Sequence, residues 1–111
     1  MSDIIKIETE VDLESLLNVK GELTLVLKHS TRCPISSAAL TEFKNFVTSS
    51  DVIAAIILVV ENRNISNLLA EKLTVRHESP QLFIIKDGIP LWHVSHGAIT
   101  KKEIASAISR L

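Results

Sequence analysis

The only cysteine of the sequence, Cys33, lies in the run Lys28-His29-Ser30-Thr31-Arg32-Cys33-Pro34-Ile35-Ser36. Thiol chemistry runs through the thiolate, which positive charge favours. Arg32 adjoins Cys33, and Lys28 and His29 stand close by in sequence. Pro34 suits the first turn of a helix, where its missing N–H would have had no partner. Cys33 is therefore expected at or near a helix N-cap, where the helix dipole and unspent N–H groups favour an anion. A lone cysteine is more often a buried small apolar residue. Here the Cys-Pro pair at a helix start, flanked by cations, weighs toward a reactive nucleophile. Ser36 lies one turn further on, so its hydroxyl is expected either to hydrogen-bond the thiolate or to serve the backbone.

The elements that must position this thiol follow from pattern. Leu23-Thr24-Leu25-Val26-Leu27 is an apolar run of strand length, and the polar residues 28–32 are expected to break it. Ile35, Ala39, Phe43 and Phe46 then recur at helical spacing, predicting a helix from Pro34 to about Val47. Upstream, Ile4-Ile5-Lys6-Ile7 reads as a first strand. Thr9-x-x-Asp12 reads as a capping box opening a short helix that Gly21 ends. Downstream, Val52 to Val60 shows no polar alternation and is rich in β-branched residues, as in a strand covered on both faces. Asn62 and Asn64 are candidate caps for a helix using Ile65, Leu68, Leu69 and Leu73. Gln81–Ile85 and Pro90–Val94 read as strands joined by the two-residue turn Asp87-Gly88. Thr100-x-x-Glu103 reads as a capping box for a last helix with Ile104, Ile108 and Leu111 on one face. The expected order is β-α-β-α-β-α-β-β-α, an α/β fold with a mixed central sheet flanked by helices.

Composition narrows the classes of function. The 111 residues, 46% hydrophobic and 23% charged, suit a single globular domain spanning 1–111. A formal net charge of −1 argues against a general electrostatic grip on nucleic acid or on an anionic membrane. The longest apolar run, Val52 to Val60, has nine residues, whereas a membrane-spanning helix needs about twenty. A single cysteine forms no internal disulfide, which fits a reducing compartment, and no secretory signal is evident; a cytoplasmic location is expected. His29, His77, His93 and His96 match no compact zinc pattern, so no metal site is expected. A hydrolase-type Cys-His pair would need an orienting partner that the sequence does not display.

Cys33-Pro34-Ile35-Ser36 resembles the Cys-x-x-Cys site of thioredoxins with serine in place of the second cysteine. The longer string Lys28-His29-Ser30-Thr31-Arg32-Cys33-Pro34-Ile35-Ser36 is similar to monothiol bacilliredoxins of the YtxJ type, which usually have Thr where this chain has Arg32. The element order resembles a complete thioredoxin-like fold over essentially the whole chain. The resemblance implies a cis peptide bond before Pro80, with the Ser79 backbone facing Cys33 as a platform for substrate. Read without it, Pro80 equally well starts an edge strand. It further implies a monothiol thiol-disulfide oxidoreductase that removes bacillithiol from S-thiolated client proteins. No cofactor is expected to be bound; bacillithiol is the expected thiol substrate, and a second small thiol or a separate reductase regenerates Cys33. Cys33 would be the nucleophile, supported by Arg32, Pro34, Ser36, Ser79 and Pro80. Because bacillithiol carries a malate unit with two carboxylates, Lys28, Arg32 and Arg76 are candidate cations for it. The rivals are a monothiol glutaredoxin using glutathione or an iron–sulfur cluster, and a non-catalytic thioredoxin-like binding module. Against the first, this chain has Cys-Pro-Ile-Ser rather than Cys-Gly-Phe-Ser, and lacks the glutaredoxin Gly-Gly and Asp pair near the last helix.

Overall fold

The computed structural model describes residues 3–111. Its elements are β1 (Ile4–Lys6), α1 (Glu10–Leu17), β2 (Thr24–His29), α2 (Pro34–Thr48), β3 (Ile53–Leu58), α3 (Arg63–Leu73), β4 (Gln81–Lys86), β5 (Ile89–Ser95), a 3₁₀ turn (His96–Ala98) and α4 (Lys101–Ser109). The five strands form one sheet in the order β1-β3-β2-β4-β5. β1, β3 and β2 run parallel, whereas β4 is antiparallel to β2 and β5 to β4. The mixed sheet flanked by helices is the architecture expected from the pattern of elements.

Strand alternation sorts the core into two layers. Leu25, Leu27, Ala54, Leu82 and Ile84 pack with Ala39, Phe43 and Phe46 of α2 and Ile104 and Ala107 of α4. Val26, Ala55, Ile57, Phe83 and Ile85 pack with Leu13 and Leu16 of α1 and Ile65, Leu69 and Leu73 of α3. β2 lies at the centre, so every residue from Thr24 to His29 is buried.

Local signals behave unevenly. The box at α1 closes fully: Thr9 Oγ1 accepts from the Asp12 N–H, and Asp12 Oδ2 accepts from the Thr9 N–H. At α4 the Thr100 side chain accepts from the Glu103 N–H; on the other side of that junction, the Lys101 N–H donates to Glu42 Oε1 of α2. α1 ends at Leu17, earlier than Gly21 suggested. Gly21, at φ 77°, instead donates its N–H to Asp87 Oδ1 across 2.8 Å, tying the α1–β2 loop to the β4–β5 turn. Asp87 (φ 54°) and Gly88 (φ 74°) make the expected tight hairpin turn, both in the left-handed region. A Cβ on Gly88 would also come within 3.0 Å of the Leu17 carbonyl oxygen. Asn62 occupies the cap position of α3, but its side-chain amide donates to the Glu8 carbonyl rather than capping that helix. The last helix buries Ile104 and Ala107, while Leu111 lies beyond it and is exposed.

Candidate active site

The thiol stands where β2 gives way to α2. Cys33 is the N-cap of α2, in extended conformation and half-buried, and Pro34 is the first helical residue. The Ser37 N–H already returns to the Cys33 carbonyl across 3.1 Å. The N–H groups of Ile35 and Ser36, in the first turn, have no carbonyl of their own helix to meet. They and the dipole of a 15-residue helix place partial positive charge beside the thiol. Arg32, next in sequence, is exposed.

Ser36 is fully buried. Its Oγ accepts the Ser30 N–H at 2.9 Å and lies 2.8 Å from His29 Nδ1. With the Ser30 amide filling one lone pair, the rest of the hydroxyl's hydrogen-bonding capacity is turned to the imidazole. The hydroxyl is thereby spent on β2 and the loop that follows it: of the two roles open to it from sequence, it serves the backbone at Ser30, and a bond to the thiolate is not among these contacts. Burial is the main cause holding His29 below its ordinary range; Lys44 adds to it, while the Ser36 backbone and Glu61 oppose it.

The polar residues 28–32 do not break the strand at Leu27. β2 continues through Lys28 and His29, because its neighbours continue: Lys28 stands opposite Ile57 and Gln81, and His29 opposite Leu58. Lys28 therefore points away from the α2 layer and is completely buried. Its Nζ lies 3.0 Å from His77 Nδ1 and 5.7 Å from the centroid of the Phe83 ring. Burial lowers its pKa to about 8. Since the lysine donates, His77 Nδ1 accepts; His77 is held below its ordinary range by burial and then by Lys28 and Arg63, opposed by Glu78. Ser66 Oγ, from α3, is 3.3 Å from the same nitrogen. A cation enclosed in this way is not available to the surface beside Cys33, which corrects its assignment as a substrate-binding group.

The segment 75–80 is fastened by Lys28 and by Gln81. The buried Gln81 side chain accepts the Glu78 N–H and donates to the Arg76 carbonyl. Ser79-Pro80 is cis, as the resemblance implied. Pro80 is buried, and its carbonyl accepts the His96 N–H at 3.0 Å. Ser79 Oγ is buried without a hydrogen-bond partner among the described residues. Arg76 is exposed. His93 is also exposed and lies against Phe83, with ring centroids 6.0 Å apart, while Trp92 packs on the α2 layer. Among the described residues, no three His, Cys, Asp or Glu side chains converge to hold a metal ion.

Sequence reading missed the Lys28–His77–Ser66 and His29–Ser36 contacts. The available signal was the strand register: two more residues of a central strand must point to opposite layers.

A five-stranded mixed sheet, a thiol capping a long helix and a cis-proline loop define a thioredoxin-fold oxidoreductase. A structure described as a candidate oxidoreductase with a thioredoxin fold matches with a TM-score of 0.88 and 33% identity, over 95% of this chain and 93% of that one. Thioredoxins of Schistosoma mansoni (TM-score 0.76, 24% identity, 97% of each chain) and Fasciola hepatica (0.77, 24%, 96% and 98%) share the fold. The family model described as Monothiol bacilliredoxin BrxC matches residues 5–104. The chain belongs to the monothiol bacilliredoxin family. No described helix is long and apolar enough to cross a membrane.

Proposed function

We propose that the protein removes bacillithiol from S-bacillithiolated client proteins through a mixed disulfide on Cys33. The observation that carries this reading is the pairing of a half-exposed thiol at the α2 N-cap with a buried serine three residues on. A dithiol enzyme discharges its adduct by closing an internal disulfide; with Ser36 in the second position and no other cysteine, that exit does not exist.

The steps balance as follows. The Cys33 thiolate attacks the bacillithiol sulfur of the client mixed disulfide. A new S–S bond forms on Cys33, and the client thiolate leaves reduced and takes a proton from water. A second bacillithiol thiolate then attacks the adduct, regenerating Cys33 and releasing bacillithiol disulfide, which a separate reductase must reduce. The α2 N-terminus and Arg32 stabilise the thiolate, and Ser79-Pro80 offers backbone to the incoming substrate. A cytoplasmic setting, where small thiols keep such exchange running, suits this chemistry.

The test is a client protein loaded in parallel with bacillithiol and with glutathione. Wild-type protein should free the bacillithiolated client faster, and Cys33→Ser should lower that rate at least a hundredfold. Equal rates for the two adducts would contradict the choice of thiol; an unaltered Cys33→Ser rate would contradict the mechanism itself.

A further inference from the structure

A cavity of about 330 Å³ opens on the α2 side of the sheet, beside the loop that precedes Cys33. Its walls come from parts of the chain remote in sequence: Lys6 of β1, His29 of β2, Leu40 and Lys44 of α2, and Leu58 of β3, with Thr31 at the thiol end. From Thr31 to Cys33 is two residues, at most about 7 Å of chain. The floor is apolar, and two exposed lysines, Lys6 of β1 and Lys44 of α2, form part of its lining. Among the described residues, no carboxylate lines it. Glu61 acts electrostatically on the His29 ring. Ser36 takes His29 Nδ1, so the imidazole is held in place as part of the wall.

Such a cleft suits a small molecule with a carbon skeleton ending in paired anions. Building on the proposed function, we infer that this cavity receives the dicarboxylate end of the bacillithiol carried on Cys33, with the malate carboxylates between Lys6 and Lys44. The cations favoured from sequence serve this less well. Lys28 is enclosed on the opposite layer, and neither Arg32 nor Arg76 lines the cavity. Ammonium groups act as compact charges rather than planar forks, so recognition here depends on charge and is screened by salt.

Two measurements test the inference. Cys33 is charged with bacillithiol in one sample and with cysteamine, which has no carboxylate, in another, and backbone amide NMR shifts are compared. Shifts at residues 6, 29–31, 40–44 and 58 are expected in the bacillithiol adduct and not in the cysteamine adduct. The rates of removing bacillithiol and cysteamine from one client are then compared in Lys6→Gln, Lys44→Gln and the double variant. The bacillithiol-to-cysteamine rate ratio should fall about three- to tenfold in the double variant, recover in Lys44→Arg tested alone, and shrink in the wild type at raised salt. If the adduct forms but shifts are confined to residues 76–80 and the ratio is unmoved, the inference is overturned while the proposed function stands. If bacillithiol never reaches Cys33, both are overturned.

Discussion

Lys28 and His29 are consecutive residues of one central strand, yet they serve opposite layers in opposite ways. Lys28 faces α3 and encloses a charge: its Nζ meets His77 on the segment leading to cis-Pro80. His29 faces α2 and stays next to open space: one ring nitrogen secures Ser36 behind the thiol, and the ring borders a cavity. The same position in the sheet, at the strand end leading to Cys33, is thus stabilised on one side and left receptive on the other. The lesson is that polar residues at the end of a buried strand are to be read face by face, not as the end of the strand.

The largest expected effect concerns the enclosed side. Folded Lys28 loses its proton at about 8, below the ordinary 10.5. The unfolded chain therefore binds more protons between those values, and stability should rise with pH across that window. The full difference corresponds to about 3 kcal/mol. Lys28→Met removes the titrating group while keeping an unbranched chain. Urea unfolding at pH 7, 8, 9 and 10 should show the wild type gaining on Lys28→Met by up to that amount. A pH-independent difference between the two would refute the enclosed-cation account.

A smaller effect is expected on the receptive side. Ser36→Ala leaves the Ser30 N–H and His29 Nδ1 without their partner, which should cost about 1–3 kcal/mol. The loss should appear in urea midpoints at pH 7. A change under about 0.5 kcal/mol would mean that water or another group replaces the hydroxyl at once, and that Ser36 is not what fixes His29.

Much of the fold was legible because its signals are local. Pro34 after Cys33 marks a helix start whatever surrounds it, and Asp87-Gly88 marks a turn because both residues tolerate positive φ. The nine-residue apolar run correctly indicated an interior strand, trimmed to Ile53–Leu58 by its partners. What stayed hidden depends on neighbours distant in sequence. Lys28 and His29 look like a loop until β3 and β4 are laid beside them. Ser36 looks free to meet the thiol until His29 is seen beneath it. The cavity could not be anticipated, because Lys6, Lys44 and Leu58 meet only when β1, α2 and β3 assemble. The 3₁₀ turn His96–Ala98, with His96 at φ 57°, carried no proline or terminal glycine signal at its first residue.

The central claim, that the small thiol passes to Cys33 and the client leaves reduced, is tested most directly by intact mass. Reduced protein is mixed with an equimolar bacillithiolated client and quenched in acid within the first turnover. The account predicts one bacillithiol on this chain, absent in Cys33→Ser, and a matching amount of client with its thiol free. Bacillithiol remaining on the client, or a covalent client–Cys33 dimer with no small-thiol adduct, would contradict it.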